Sequence, residues 1–147
     1  MANEIQIRKV KREDLSQIRR LYKDLVPEGV SMEKLTKNYE AVTGSPNYYV
    51  AVAEGGGRIL GSAMGIVCLA LDAPFLVIEN VVVDSDCRGQ GIGRKIFEAL
   101  DCFAIEQNCQ YALLVSSGFR KEAHCFYEAM GYTDDVRGFR KYYDPVM

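Results

Sequence analysis

The spacing of hydrophobic residues in the first part of the chain predicts one strand followed by two helices. Apolar and polar residues alternate over residues 5–10, which indicates a strand. Apolar residues then recur at helical spacing over residues 12–25, which predicts a helix that ends before Pro27. Ser31 is the expected N-cap of a second helix, which continues to about residue 42.

The middle of the chain predicts consecutive strands joined by tight turns. Residues 48–53, 59–69 and 75–83 are rich in strand-forming side chains. The three glycines at 55–57 permit the positive φ angles that a tight hairpin needs. Glu79 stands in the middle of the third run, where a carboxylate covered on both sides of a sheet would need a partner or a task.

The last part of the chain predicts two more helices and further strands. An apolar stripe marks residues 92–107 as a helix, and residues 111–116 form a short strand-like run. A second stripe predicts a helix over residues 120–130, with Gly131 as its C-cap. The tail, residues 132–143, is predicted to make one or two antiparallel strands.

The order of these elements predicts an α/β (α+β) fold. Helices arrive both before and after a run of hairpin strands, so we expect a mixed, mostly antiparallel central sheet with helices on both faces. The chain has 147 residues, a length that suits one domain, and no composition shift marks a linker. We therefore expect a single domain over residues 1–147.

Composition and charge narrow the class of protein without naming a function. The chain has 18 Lys+Arg and 20 Asp+Glu, and the net charge of −2 argues against a nucleic-acid-binding protein. No apolar run reaches the roughly 20 residues of a membrane helix, and no signal peptide is visible, so a cytoplasmic protein is expected. The five cysteines are odd in number and irregularly spaced, so no disulfide framework is predicted, and the lack of a C-x-x-C pair gives no support for a metal site.

The segment most informative about function is a glycine-rich loop that follows the valine strand Val81–Val83. It runs through Arg88–Gly93 directly into the helix predicted from residue 92. The free N–H groups of a helix N-terminus, with glycines that allow close approach, favour a phosphate group, and Arg94 and Lys95 add positive charge nearby. The loop therefore predicts a pyrophosphate site, although the two cations also suit a solvated first turn. Asp84 and Asp86 partly offset these positive charges.

Two familiar phosphate loops do not match this spacing. The Walker pattern requires G-x-x-x-x-G-K-S/T, and the chain has no Lys-Ser or Lys-Thr pair at this loop. The dinucleotide fingerprint requires G-x-G-x-x-G, whereas the third glycine here, Gly93, comes one residue too early. A nicotinamide-dependent oxidoreductase is therefore not predicted.

The loop instead resembles that of the GNAT family of N-acetyltransferases. Arg88–Gly93 is similar to the family's Q/R-x-x-G-x-G/A loop, and Val81–Val83 resembles its fourth strand. A second block, Ala123–Tyr132, resembles the family's A-x-x-F-Y-E-x-x-G-F/Y run. The resemblance implies transfer of an acetyl group from acetyl-CoA to a primary amine of a small molecule or peptide, by direct attack in a ternary complex and without a metal.

The resemblance also implies which residues bind the cofactor, acetyl-CoA. The backbone of the fourth strand would pair with pantetheine, the loop amides would hold the pyrophosphate, and a bulge at Asn80–Val81 would part this strand from the fifth. The predicted cofactor-binding residues are Val81, Val82, Val83, Arg88, Gly89, Gln90, Gly91, Ile92, Gly93 and Arg94.

Two residues are predicted to be catalytic. By its place in the second block, Tyr127 resembles the family's acid that protonates the leaving thiolate, although it also fits the packed face of its helix. Glu79 is the candidate base that removes the proton of the amine, either directly or through a water. Its alternative role is to bind backbone or the substrate cation at the wet end of the sheet.

Two function classes and several partners stay open at this point. The glycine loop suits an enzyme and equally a non-catalytic acyl-CoA-binding or regulatory module, whereas Glu79 and Tyr127 favour the enzyme. The expected partner is an amine acceptor, with neither nucleic acid nor membrane, and a homodimer is one option for assembly. By the same resemblance, residues 24–32 would line the acceptor side. A cation-friendly pocket there would draw on Tyr22, Glu28, Glu33 and Tyr39, although these residues suit an ordinary surface equally well.

Overall fold

The computed structural model of the chain describes residues 4–116 and 121–144, and over this part it contains a five-stranded sheet in the order β1-β2-β3-β4-β5. The strands are β1 Gln6–Lys9, β2 Tyr48–Gly55, β3 Arg58–Cys68, β4 Phe75–Val83 and β5 Ala112–Leu113. The helices are α1 Leu15–Leu21, α2 Met32–Thr43, α3 Ile92–Glu106 and α4 Lys121–Ala129, and short 3-10 turns span Arg12–Asp14, Tyr22–Asp24 and Ser85–Cys87.

The sheet is mixed and mostly antiparallel, as predicted. The pairs β1–β2, β2–β3 and β3–β4 are antiparallel, and β4–β5 is parallel. The parallel pair is short, because only Leu76 with Ala112 and Val77 with Leu113 are in register. The edge of β4 is therefore covered by β5 only near the start of the strand.

Helices pack on both faces of this sheet, which confirms the predicted architecture. One face carries a cluster from α1, α2 and the sheet, formed by Leu15, Ile18, Leu21, Leu35, Val52, Ile59 and Val82. The other face carries α3, whose Phe97 and Leu100 are fully buried. A Cβ at Gly65 would lie 3.2 Å from Leu100 Cδ2, so this glycine lets α3 pack closely on β3.

Two local predictions from the sequence are confirmed. The Ser31 side chain accepts a hydrogen bond from the Lys34 N–H at 3.1 Å and so caps α2. In the turn between β2 and β3, Gly56 and Gly57 have φ of 59° and 75°, the two positive values that a type I′ hairpin requires.

The predicted strands near the C-terminus are longer than those observed. The strand expected over 111–116 is limited to Ala112–Leu113, and the described part of the tail, residues 131–144, contains no strand. The prediction of one or two tail strands is therefore wrong for this structure. Charged residues such as Asp134, Asp135 and Arg137 interrupt the alternation that a half-buried strand needs.

The chain divides into two compact units, Met1–Leu114 and Val115–Met147. The second unit contains α4, whose predicted first residue, Arg120, lies outside the described residues. Gly131 follows this helix with φ of 101°, and the Tyr132 N–H donates to the Tyr127 carbonyl at 3.0 Å, which confirms the predicted C-cap. Among the described residues, no helix has the length and apolar character needed to cross a membrane.

A buried ion pair fixes the start of the chain in the first unit. Arg8 donates to both carboxylate oxygens of Asp14, at 2.8 and 2.9 Å, and the Lys11 N–H donates to the same carboxylate at 2.7 Å. Burial by itself would raise the pKa of Asp14, but the hydrogen bonds from Arg8 and Lys11 outweigh it and hold this pKa below its usual value. The ionised form of Asp14 therefore stabilises the fold.

We expect Asp14→Asn to lower the free energy of unfolding by about 2–3 kcal/mol at pH 7, because Arg8 loses its buried partner. The contribution of Asp14 is complete above its ordinary pKa of about 4 and is lost as the pH falls through the lower pKa of the folded state. Urea unfolding at pH 7 and at pH 2–3 measures this difference, with the exposed Asp72→Asn as control. An equal loss of stability at both pH values would contradict the prediction.

Candidate active site

A bulge interrupts β4 where the family resemblance implied it. Between two paired positions β3 advances from Ser62 to Met64, whereas β4 runs back from Val82 to Glu79 and so contains one extra residue. Asn80, inside this step, has φ of 56°, a left-handed conformation that is uncommon outside glycine. The predicted bulge is therefore confirmed.

Beyond the bulge, the backbone groups of Val81 and Val83 face away from β3. The Asp84 N–H donates to the Leu60 carbonyl of β3 at 2.8 Å, so the backbone at residue 84 faces β3. Because backbone groups alternate along a strand, those of Val83 and Val81 face the opposite edge. In the part of the chain that the structure describes, no strand pairs with this edge beyond Val77.

The bulge decides which residues this free edge presents. Before it, the Leu76 N–H donates to the Tyr111 carbonyl at 2.9 Å on the β5 side, so an unbroken alternation would turn Val82 to that side. The extra residue shifts the alternation by one and turns Val81 and Val83 outward instead. Val82 directs its backbone to β3, and its side chain is 5% exposed in the core on the α1 and α2 face.

The glycine loop that follows β4 is open to solvent at its two left-handed positions. Gly89 and Gly91 have φ of 84° and 77°, and a Cβ built on either would meet nothing within 4 Å. Gly91 is the N-cap of α3, and the neighbouring Arg88 and Gln90 are exposed. The loop therefore leaves space in front of the helix N-terminus.

The first turn of α3 presents unpaired N–H groups to that space. The Lys95 N–H donates to the Gly91 carbonyl at 3.1 Å, and the amides that precede it in the helix, among them those of Ile92 and Gly93, have no carbonyl one turn earlier to accept from them. The aligned peptides of this 15-residue helix add positive potential at the same end. This arrangement fits a pyrophosphate.

Three exposed cations surround the same loop. The side chains of Arg88, Arg94 and Lys95 make no ion pair with any of the described residues. Their charges are therefore available to a bound anion, which would also relieve their unfavourable interaction with the helix dipole. The described residues contain no group of three or more His, Cys, Asp or Glu side chains that could hold a metal ion.

Glu79 lies at the bulge, and its side chain is exposed rather than covered by an element packed on the sheet. It pairs in register with Met64, and both side chains lie on the face opposite α3, because Gly65 next to Met64 faces that helix. The turn Tyr22–Asp24 packs against β4 on this side. Exposure removes the argument that Glu79 needs a buried partner, and it leaves the carboxylate accessible to a substrate.

Tyr127 lies in the second unit, half-buried on α4. Its ring is 5.7 Å from that of Phe126 and 6.4 Å from that of Tyr132, both in edge-to-face arrangements. Such contacts restrict the orientation of the ring, and the side chain is partly rather than fully buried. The expectation that Tyr127 packs with its helix is therefore compatible with a role as a proton donor.

The aromatic and acidic residues predicted to line the acceptor side have different surroundings. The Arg12 guanidinium lies over the Tyr39 ring, 5.4 Å from its centroid, so this ring already makes a cation–π contact. Glu28 lines a cavity of about 320 Å³ together with Arg19, whereas Glu33 lines a different one. Burial raises the pKa of Tyr22 to about 12, so its phenol stays protonated at neutral pH.

Asp84 is the residue whose importance the sequence did not reveal. It is 4% exposed, and its carboxylate contacts Arg20 at 3.1 Å and Arg58 at 3.2 Å. It is therefore a buried, paired acid at the start of the loop rather than one of two surface charges that offset the loop cations. An acid placed directly after an apolar strand was the available signal, but its partners lie far away in sequence.

Comparisons with known proteins indicate a family for the chain. A family model described as "Acetyltransferase (GNAT) domain" matches residues 46–134. The chain is 30% identical over 117 residues to a probable N-acetyltransferase family 8 member 5 of Mus musculus, covering 76% of this chain and 49% of that protein. It is 33% identical over 100 residues to an uncharacterized N-acetyltransferase of Methanocaldococcus jannaschii, covering 67% and 60%. The chain thus spans half to three fifths of the length of these curated relatives.

Solved structures share the fold over nearly the whole chain. A putative acetyltransferase from Agrobacterium tumefaciens superimposes with a TM-score of 0.86 at 25% identity, covering 93% of this chain and 99% of that one. Glucosamine-6-phosphate N-acetyltransferase from Arabidopsis thaliana gives 0.84 at 26% identity, covering 96% and 99%. Together with the matching domain model, these likenesses establish that the chain belongs to the GNAT family of acetyltransferases.

Proposed function

We propose that this chain is an acetyl-CoA-dependent N-acetyltransferase that acts on a primary amine of a small molecule or peptide. The observation that carries the proposal is the free edge of β4 at Val81 and Val83, which leads directly into the open glycine loop and the N-terminus of α3. These features, taken in order, match a ligand that is extended, carries amide groups along its length and ends in a pyrophosphate.

Acetyl-CoA has that chemistry. Its pantetheine amides would pair with the backbone of Val81 and Val83, in the way that a strand adds to an open sheet edge. Its pyrophosphate would accept from the amides of the loop and of the first turn of α3, with Arg88 and Arg94 as the nearest cations. An aminoglycoside N-acetyltransferase with the same fold, at a TM-score of 0.81 and 19% identity, has been crystallised in complex with CoA.

Acetyl-CoA would supply a thioester, and two residues of the chain would transfer the protons that the reaction requires. Glu79 takes one from the ammonium group of the acceptor, so that the amine nitrogen can form its bond to the acetyl carbon. As the bond from carbon to sulfur breaks, Tyr127 gives its phenolic proton to the departing thiolate. The second proton of the amine nitrogen leaves as the acetamide forms and returns, directly or through a water, to the Tyr127 oxygen. The products are an acetamide and the free thiol of CoA, and Glu79 then releases its proton to water.

The acceptor is expected to approach from the face that carries α1 and α2. Glu79 is exposed on that face beside the turn Tyr22–Asp24, so its negative charge is available to attract a cation. Relatives by fold include enzymes named for glucosamine-6-phosphate and for aminoglycosides, which are small molecules with primary amines. Amino sugars are therefore the first class of acceptor to examine.

Release of free thiol from acetyl-CoA tests the proposal. The full chain is incubated with acetyl-CoA and a panel of amino sugars, polyamines, amino acids and peptides, and thiol is measured with a disulfide reagent. We expect at least one amine to give thiol above the rate without acceptor, with the acetylated amine identified by mass spectrometry. Tight binding of acetyl-CoA without thiol release from any amine would favour the non-catalytic acyl-CoA-binding module instead.

We expect Glu79→Gln to lower kcat about 10²-fold at neutral pH, because the amine then loses its base. The loss should shrink at high pH, where more of the acceptor is already unprotonated. Steady-state kinetics between pH 6 and 10 measure both effects. Glu98→Gln, which removes an exposed carboxylate from α3 on the other face of the sheet, is the matched control. A Glu79→Gln variant with wild-type kcat at every pH would remove Glu79 as the base.

A further inference from the structure

Asp84 joins three separate parts of the fold at the point where β4 ends. Its carboxylate accepts from Arg20 of α1 at 3.1 Å and from Arg58 of β3 at 3.2 Å through the same oxygen, Oδ2. The other oxygen, Oδ1, accepts from the Asp86 N–H at 3.0 Å. The side chain is 5% exposed, so these contacts replace its hydration almost completely.

The backbone of Asp84 is held as firmly as its side chain. Its N–H donates to the Leu60 carbonyl at 2.8 Å, and its carbonyl accepts from the Cys87 N–H at 2.9 Å. The contacts to Asp86 and Cys87 close the 3-10 turn Ser85–Cys87, which is followed directly by Arg88 and the two left-handed glycines. Asp84 therefore sets the direction in which the loop leaves the sheet.

The charges around Asp84 support the same interpretation. The hydrogen bond from the Asp86 N–H and the one from Arg20 hold the pKa of Asp84 below its usual value, although burial opposes this. Arg20 also donates to the Ile59 carbonyl at 3.5 Å, which places its guanidinium against β3. One carboxylate between two guanidiniums leaves one excess positive charge at the start of the loop.

We propose that Asp84, held by Arg20 and Arg58, is a positioning residue that keeps the glycine loop in the conformation that binds phosphate. The proposal rests on the proposed function for the identity of the ligand, but not for the conformation of the loop. The buried carboxylate fixes the turn, the turn fixes Arg88 and Gly89, and these fix the amides at the N-terminus of α3. Without the anchor, the loop samples conformations in which the amides no longer converge.

Hydrogen exchange of the ligand-free chain tests the positioning role of Asp84 without any cofactor. We expect Asp84→Asn to accelerate exchange of the amides over residues 86–94 about tenfold or more, while the amides of β2 and β3 keep their wild-type rates. The same variant should raise the Kd for CoA, measured by calorimetry well below its melting temperature, about tenfold or more. Asp86→Asn is the matched control, because its exposed side chain makes no hydrogen bond with any described residue and only its N–H is used.

Two outcomes would overturn the proposal. One is unchanged exchange over residues 86–94, and the other is an acceleration spread evenly over the whole sheet, which would mean a general loss of stability. If Asp84→Asn does not fold, Arg20→Gln replaces it in both measurements, hydrogen exchange over residues 86–94 and the Kd for CoA. The Arg20 side chain is 46% exposed, so its replacement leaves no cavity. A wild-type chain that binds no CoA would refute the proposed function, while the exchange result would still decide the role of Asp84.

Discussion

Gly91→Glu is expected to abolish binding of acetyl-CoA while leaving the chain folded. Gly91 precedes the first turn of α3 with φ of 77°, and a Cβ there would meet nothing within 4 Å. The new side chain therefore enters empty space rather than the core. That space is where the proposed pyrophosphate accepts hydrogen bonds, so a carboxylate would both fill it and repel the phosphates.

We expect the Kd for CoA to rise at least about 100-fold, since steric exclusion and charge repulsion act together. The backbone strain of a non-glycine residue at this φ costs about 1–2 kcal/mol and must be separated from the loss of binding. Gly57→Glu is the control that separates them. Gly57 has φ of 75° and equally open surroundings, but it lies in the hairpin between β2 and β3.

Calorimetry with CoA and thermal unfolding of both variants measure the two effects. Both variants should lose similar stability, whereas only Gly91→Glu should lose CoA binding. Retained affinity in Gly91→Glu would refute the assignment of this loop to the pyrophosphate. Equal losses of affinity in the two variants would mean that backbone strain, rather than occupation of the site, is responsible.

Tyr127→Phe is expected to lower kcat about 10²-fold or more while the Kd for acetyl-CoA stays within about twofold of wild type. The substitution removes only the phenolic oxygen, which is the group proposed to protonate the leaving thiolate. The ring and its edge-to-face contacts with Phe126 and Tyr132 are kept. A residue that acts only through packing would therefore tolerate this change.

The matched control is Tyr132→Phe, which removes a phenolic oxygen from the same aromatic group on the second unit. Steady-state kinetics with the acceptor found in the thiol assay give kcat, and calorimetry gives the affinity for acetyl-CoA. If Tyr127→Phe turns over as fast as wild type, the acid is another group or water. If Tyr132→Phe loses as much activity, the effect belongs to the aromatic group as a whole.

Several local features could be predicted because they depend on neighbours in the sequence. Ser31 caps α2 through the N–H three residues later, and Gly57 adopts its positive φ within a two-residue turn. The bounds predicted for β4 agree with those observed, and the bulge lies at Asn80 as the family resemblance implied. Each of these features is decided within a few residues of chain.

Other features could not be predicted because they depend on residues that are distant in sequence. Arg20 and Asp84 are separated by 64 positions, and only the packing of α1 beside the end of β4 brings them together. The sequence left open whether Glu79 is covered in the sheet or lies at its wet end, and only the structure shows that its side chain is exposed.

The sequence alone indicated the proposed phosphate site, because a glycine loop ahead of an amphipathic helix creates free N–H groups wherever the helix lies. Tertiary structure alone decided which backbone groups complete that site. Pairing with β3 and one extra residue at Asn80 turn Val81 and Val83, rather than Val82, toward the free edge of β4. Hydrogen-bond direction alternates with every residue, so a single insertion reverses it, and pairing between strands is what fixes that insertion.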